Sequence, residues 1–113
     1  VYGLDRGVTT YLGYSNGANL LAALLRLRPG AITRAILLRA VDVLEDPPAV
    51  DLTGSEILLL TGSRDPSASR SEALKDSLRA AGANVDSYAV DAGHELSPND
   101  IEIARSWLKA SVA

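Results

Sequence analysis

Two short, uninterrupted apolar runs, at residues 35–38 and 57–60, constrain the fold more than any other feature of this sequence. Runs of this kind are typical of strands that are covered on both faces of a parallel sheet. Two further strands are predicted at 8–12, which is rich in β-branched and aromatic residues, and at 85–90, which is more polar and indicates a strand nearer an edge. Helical patterns alternate with these strands. The sequence therefore predicts an α/β fold, with a parallel sheet of about four strands and flanking helices.

Three segments have helical patterns. Residues 18–27 leave almost no polar face, so this helix should be buried on several sides. Structure beyond the four predicted strands should therefore cover it. Ser69 and Glu72 form a capping-box pattern that predicts the start of the second helix. Pro98 follows the predicted cap Ser97 and predicts the start of the last one. The buried residues predicted for these two helices are Leu74, Leu78 and Ala81, and then Ile101, Ala104 and Leu108, joined by Trp107.

Composition limits both the size and the chemistry of the protein. Its 113 residues allow one domain at most, and an apolar share of 47% suffices for a core. The net charge of −3 with no basic cluster argues against nucleic acid as a partner. The absence of cysteine excludes disulfides and thiolate metal sites, and a single histidine offers no convincing metal constellation. No apolar stretch approaches membrane-spanning length and no signal peptide is visible, so we expect a cytoplasmic protein without a membrane span.

Residues 13–17, Gly-Tyr-Ser-Asn-Gly, match the G-x-S-x-G pattern of a serine nucleophile elbow. Gly13 and Gly17 would let the backbone turn sharply from strand to helix and lift the Ser15 hydroxyl clear of the sheet. The predicted strand before the motif and the predicted helix after it are the context that the motif requires. The alternative interpretation of Ser15 is a turn serine or a helix N-cap.

Asp65 and His94 complete a chain order of serine, aspartate and histidine. Each of the three follows a predicted strand, and the carboxyl ends of parallel strands meet at one edge of a sheet. The sequence therefore predicts a catalytic triad of Ser15, Asp65 and His94. Asp65 followed by Pro66 also resembles a helix start, and Asp91 remains a rival for the acid. Glu95 and Asp100 are expected to serve the N-terminus of the last helix instead.

The predicted chemistry is acyl transfer through an acyl-enzyme intermediate. His94 would take the proton of Ser15, which would attack an ester carbonyl, and Asp65 would hold the imidazole in the productive tautomer. The backbone N–H of Asn16, at a helix N-terminus, would donate to the oxyanion. The side chains of Tyr14 and Asn16 would either shape the pocket or have a purely structural role. The long loop at about 40–55 is a candidate pocket wall or a connector.

Several segments together resemble the carboxylesterase/phospholipase group of α/β-hydrolases, which includes acyl-protein thioesterases and dienelactone-hydrolase-like proteins. They are residues 13–19, 27–30, 62–66 and 92–96, together with Trp107 and Leu108 in the terminal helix. The resemblance covers essentially the whole chain. It implies hydrolysis of small carboxylic esters or thioesters without a cofactor, with Ser15, Asp65 and His94 as the triad.

The resemblance extends to the C-terminal half of such a hydrolase. Members of the group have several strands before the elbow strand and an earlier loop that supplies a second oxyanion donor. We therefore expect residues 1–113 to be a single, partial hydrolase domain. It would pair through strand 8–12 with its missing N-terminal half or with a second copy. The alternative is a non-catalytic assembly or binding module, or an inactive fragment, that retains the hydrolase motif.

Overall fold

The computed structural model describes residues 9–44 and 48–112, with side chains up to residue 110. Its sheet has four strands in the order β1-β2-β3-β4, and all three neighbouring pairs are parallel. The α/β fold with a parallel four-stranded sheet is thus confirmed. The strands are β1 (Tyr11–Tyr14), β2 (Arg34–Leu38), β3 (Glu56–Gly62) and β4 (Asn84–Val90).

Three helices flank this sheet on its two faces. Helix α1 (Asn16–Leu27) and helix α2 (Ala68–Ala80) pack on one face, while α3 (Pro98–Val112) packs on the other. Successive side chains of a strand point to opposite faces, so each apolar run contributes side chains to two hydrophobic cores, one on each face of the sheet. Leu37 and Leu59 belong to the core under α1 and α2, whereas Ile36 and Leu58 belong to the core under α3.

The first strand lies further along the chain than the predicted 8–12. Residue 8 lies outside the described residues, Thr9 and Thr10 precede the strand, and β1 spans Tyr11–Tyr14. The boundary depends on the partner strand, because Tyr11 pairs with Ala35 of β2 and Tyr14 with its Leu38. Helix α1 begins at Asn16, two residues earlier than predicted. A single residue, Ser15, therefore separates strand from helix.

The predicted helix starts and buried stripes need corrections. Helix α2 begins at Ala68, so Ser69 lies inside the helix and the predicted capping box is wrong. The N-terminus of α2 is stabilised instead by the Asp65 carboxylate, which accepts a hydrogen bond from the Ser67 N–H. In α3, Ala104 is buried, but Ile101 is 63% exposed, because the helix contacts the sheet through residues further round its surface. These contacts are made by Ile103, Ala104, Trp107 and Leu108.

Helix α1 is buried on one side within the described part of the chain. Ala18, Ala22 and Leu25 reach the core, whereas Leu20 and Leu27 remain exposed. The helix is therefore not surrounded on several sides by the described residues.

The loop after β2 leads from the carboxyl end of β2 to the amino end of β3. Asp42 pairs with Arg26 of α1 at 2.8 Å. Leu52 donates its N–H to the Ala81 carbonyl, just before β4 begins, and Ser55 directly precedes β3. Residues 50–55 therefore lie near the strand starts, on the edge opposite to the strand ends, and cannot form the predicted pocket wall. Residues 45–47 of the predicted loop lie outside the described residues.

Trp107 connects α3 to two strands of the sheet. Its indole N–H donates to the Asp86 carboxylate of β4 at 2.8 Å, and its ring lies 4.5 Å from the guanidinium carbon of Arg34 in β2. Such a cation–π contact is typically worth ~0.5–1 kcal/mol or more. This side chain therefore anchors the helix between β2 and β4.

Candidate active site

Ser15 occupies a sharply bent position between β1 and α1. Its backbone φ is 55°, in the left-handed region that residues other than glycine rarely adopt. The Ser15 N–H donates to the Leu38 carbonyl at 2.9 Å, and its carbonyl accepts the N–H of Asn19 at the same distance. The Ser15 hydroxyl makes no capping bond to the helix. Backbone contacts thus hold this residue in its strained conformation and leave its hydroxyl for another partner.

The two glycines of the elbow differ in what they contribute. A Cβ at Gly13 would lie 2.7 Å from the Ala18 nitrogen, so no larger residue fits beneath the turn. A Cβ at Gly17 would meet nothing within 4 Å among the described residues, and its φ is not positive. A side chain is therefore excluded at Gly13, whereas Gly17 has room for one among the described residues.

The predicted triad residues lie together at the carboxyl edge of the sheet. Ser15 Oγ is 2.8 Å from Nε2 of His94, and His94 Nδ1 is 2.8 Å from Oδ2 of Asp65. These residues follow β1, β4 and β3 and are 79 and 29 positions apart along the chain. A continuous chain of hydrogen bonds thus links a hydroxyl, an imidazole and a carboxylate.

The environment of Asp65 determines the direction of these hydrogen bonds. Burial raises the pKa of Asp65, but hydrogen bonds from the Ser67 N–H and from His94, with the charges of His94 and Arg39, outweigh it and lower the pKa below its usual value. An ionised carboxylate can only accept, so the proton between the two side chains belongs to Nδ1 of His94. In the neutral ring, Nε2 is then the acceptor for the Ser15 hydroxyl.

Three other carboxylates of the sequence analysis make no hydrogen bond to the imidazole. Asp91 forms an ion pair with Arg64 at 3.0 Å, and both side chains are largely exposed. Glu95 accepts a hydrogen bond from the Gly93 N–H rather than capping α3, which corrects the expectation for this residue. Asp100 does serve the start of α3, because it accepts hydrogen bonds from the N–H and the hydroxyl of Ser97.

Tyr14 and Asn16 flank the serine in different ways. The Tyr14 hydroxyl donates to the His94 carbonyl at 3.0 Å, and the Tyr14 and His94 ring centroids are 5.7 Å apart. Asn16 is the first residue of α1, so its N–H has no acceptor inside the helix and lies at the positive end of the helix dipole. The arrangement therefore offers a backbone donor beside the Ser15 hydroxyl.

Sequence reasoning missed Arg39, which is 2% exposed and directly follows β2. Its guanidinium forms a two-point ion pair with Asp100, with both N–O distances at 2.8 Å. It also donates to the carbonyls of Gly93 and Glu95, on either side of His94. The signal in the sequence is a charged residue immediately after the apolar run 35–38.

Gly62, at the end of β3, allows two loops to approach each other. They are the histidine loop (residues 91–97), which carries His94, and the aspartate loop (residues 63–67), which carries Asp65. A Cβ at this position would overlap the carbonyl oxygens of Gly93 and Ala92. The Arg64 N–H also donates to the Ala92 carbonyl at 2.9 Å. This close backbone approach fixes the spacing between Asp65 and His94.

An apolar groove of about 280 Å³ lies between β1 and α3. The exposed side chains Leu12, Leu96 and Ile101 line it, with Leu38 and Leu108 beneath them. No cluster of three or more potential metal-ligating side chains occurs in the described part of the chain. The helices described here also include none with the length and apolarity needed to cross a membrane.

Known proteins are similar to this chain in fold and in sequence. The carboxylesterase from Mesorhizobium loti superposes with a TM-score of 0.85 and 42% identity, over 88% of this chain and 48% of its own. The Bacillus cereus carboxylesterase superposes with a TM-score of 0.87 and 33% identity, over 94% and 51% of the two chains. The chain has the fold of the α/β-hydrolases.

The structures that this chain matches at these identities are carboxylesterases with the α/β-hydrolase fold. It is also 34% identical over 110 residues to MhqD of Bacillus subtilis (strain 168), which is provisionally named a hydrolase. That match covers 96% of this chain and 55% of MhqD, so the chain spans about half the length of its relatives, consistent with the C-terminal half of the fold. No protein-family model matches the chain.

Proposed function

We propose that the protein hydrolyses small carboxylic esters or thioesters, with Ser15 as nucleophile, His94 as general base and Asp65 as the orienting acid. The observation that carries this proposal is the pair of 2.8 Å hydrogen bonds joining Ser15 to His94 and His94 to Asp65. Carboxylesterase and hydrolase relatives support the reaction class.

In the proposed reaction, Nε2 of His94 accepts the Ser15 proton while Oγ attacks the substrate carbonyl carbon. Collapse of the tetrahedral intermediate expels the alcohol or thiol, which takes the proton from His94, and leaves an acyl group on Ser15. His94 then deprotonates a water that attacks this acyl-enzyme, and Ser15 recovers its proton. Asp65 remains ionised throughout and stabilises the imidazolium.

The Asn16 N–H is the proposed donor to the oxyanion of each tetrahedral intermediate. Its place at the first turn of α1 supports this role, since a helix N-terminus favours negative charge. Removing one oxyanion donor typically costs about 10²–10³ in rate. A second donor would have to come from a segment that packs beside the elbow.

A fluorophosphonate probe tests the proposal because it modifies only an activated serine. We expect labelling at Ser15, located by peptide mass, and its loss in Ser15→Ala. Ser63→Ala is the matched control, since Ser63 is an exposed serine that follows β3 and should leave labelling intact. A folded wild-type protein that resists the probe would contradict the enzyme proposal and favour the non-catalytic module.

We also propose that β1 pairs with a further strand, from the rest of a hydrolase fold or from a second copy. In the described sheet, β1 is an edge strand, and unpaired edges are templates for pairing. The 59% exposure of Leu12 and the adjoining apolar groove support this assembly role. The proposed substrate is a small molecule and the predicted compartment the cytoplasm, which cell fractionation can check.

A further inference from the structure

Three successive backbone carbonyls around His94 are each held by a side chain from another part of the fold. Arg39 Nε donates to the Gly93 carbonyl at 3.0 Å, and Arg39 Nη2 donates to the Glu95 carbonyl at 2.8 Å. Tyr14 binds the carbonyl of His94 itself. A loop segment held at three consecutive carbonyls has little freedom to move its side chain relative to the sheet.

Arg39 is itself immobilised on all sides. Its side chain is fully buried, and its N–H donates to the Leu60 carbonyl of β3 at 2.9 Å. The guanidinium fork meets both carboxylate oxygens of Asp100, which is 1% exposed. Asp100 in turn receives the N–H and hydroxyl of Ser97, at the start of α3. The planar fork of arginine suits such a rigid junction, which lysine could not reproduce.

From this geometry we propose that Arg39, locked by Asp100, is a positioning residue that fixes the His94 ring between Asp65 and Ser15. The proposal rests on the proposed function for its catalytic meaning and on the contacts above for its geometry. The charge of Arg39 also lowers the pKa of Asp65, but its contribution to the placement of His94 is the pair of hydrogen bonds to the Gly93 and Glu95 carbonyls. Misplacement of a catalytic group by about 1 Å can cost about 10²-fold in rate.

The tautomer of the imidazole provides a test that does not depend on turnover. The chain contains one histidine, so its ring ¹⁵N resonances need no assignment by mutagenesis. In the wild type we expect the Nδ1–H tautomer, because Asp65 accepts that proton. In Arg39→Met/Asp100→Asn, which removes the arginine without leaving a buried charge unpaired, we expect a mixture of both tautomers. Fluorophosphonate labelling should slow by about 10²-fold.

The matched control is Arg26→Met/Asp42→Asn. Arg26 is also buried, pairs with Asp42 at 2.8 Å and donates to the Ser77 hydroxyl, but it contacts nothing in the histidine loop. This variant should keep the wild-type tautomer. If the Arg39 double variant proves unfolded by circular dichroism, Arg39→Lys, which keeps the charge, takes its place with the same expectation.

Two outcomes overturn the proposal: a folded Arg39 variant with the wild-type tautomer, or an equal change in the Arg26 control. Failure of the proposed function is a separate result, since it consists of a wild-type protein that the fluorophosphonate does not label. The tautomer comparison decides the positioning role in that case as well.

Discussion

At the scale of the residue, Asp65 combines two tasks with its two carboxylate oxygens. One oxygen accepts the Ser67 N–H at the start of α2, and the other meets His94 Nδ1. The interpretations of Asp65 as helix-start residue and as partner of the histidine are therefore compatible. The exposed Asp91, in contrast, has its own partner in Arg64.

The first prediction separates these two aspartates. We expect Asp65→Asn to lower kcat by about 10⁴-fold, because an amide can donate to Nδ1 and so stabilise the wrong tautomer of His94. Asp91→Asn should stay within a few-fold of wild type. The measurement is ester hydrolysis by both purified variants, and an equal loss in the two would argue against Asp65 as the acid.

The place of a residue in the fold was predictable where the sequence itself carries a signal for it. The serine between two glycines, and the order of serine, aspartate and histidine, are such signals. The importance of Arg39 was not predictable, because its partners are Gly93, Glu95 and Asp100, which lie 54 to 61 positions away. A charged residue after an apolar strand indicates only that it needs partners, and the fold decides which ones.

At the scale of the element, the strand ends carry the site and the turns after them set its spacing. The central strands were predictable because continuous apolar runs are produced by burial on both faces. The bounds of β1 were not, because they follow from pairing with β2. The start of α2 depends on the Asp65 contact to Ser67 rather than on the capping pattern at Ser69.

The second prediction concerns the close approach of the turn after β3 to the turn after β4. Gly62→Ala should lower the free energy of unfolding by ~1–3 kcal/mol, because the new methyl group displaces the carbonyls of Ala92 and Gly93. It should also slow ester hydrolysis, since those carbonyls precede His94. Urea denaturation and the esterase rate measure the two effects.

Gly17→Ala is the matched control for stability. Its Cβ has open space among the described residues, and alanine favours the helix, so the free energy of unfolding should stay equal or rise by up to ~1 kcal/mol. Equal destabilisation by the two substitutions would contradict the steric argument at Gly62.

At the scale of the whole molecule, the sheet is covered unevenly. Strands β2 and β3 are buried on both faces, whereas β1 exposes Leu12 beside the apolar groove. Exposed apolar area of this kind, next to an unpaired strand edge, favours association.

The third prediction is that the 11.9 kDa chain associates in solution and that Leu12→Lys reduces this association. A charge on an edge strand opposes pairing with another strand. Size-exclusion chromatography with light scattering gives the mass, and Leu27→Lys is the control, because Leu27 is an exposed leucine at the far end of α1. A folded wild-type monomer would contradict the expected pairing through β1.

The fourth prediction concerns acid. Burial raises the pKa of Asp100, but the hydrogen bonds that it accepts from Arg39 and Ser97 outweigh this effect and lower the pKa below its usual value, as is the case for Asp65. Groups with a depressed folded pKa stabilise the protein above the unfolded value and lose this effect as the pH falls through the folded one. The urea midpoint should thus be steady above about pH 4 and fall below it. Asp65→Asn combined with Arg39→Met/Asp100→Asn, which leaves no buried charge unpaired, should flatten that fall, and a parallel curve would contradict the assignment.

The position of Trp107 has a practical consequence for such measurements. It is the single tryptophan of the chain, and it bridges the terminal helix to the second and fourth strands. Its fluorescence therefore reports on the contact between α3 and the sheet. An emission shift without loss of helical signal would reveal the terminal helix lifting from the sheet, so that partial opening and complete denaturation become distinguishable without an added dye.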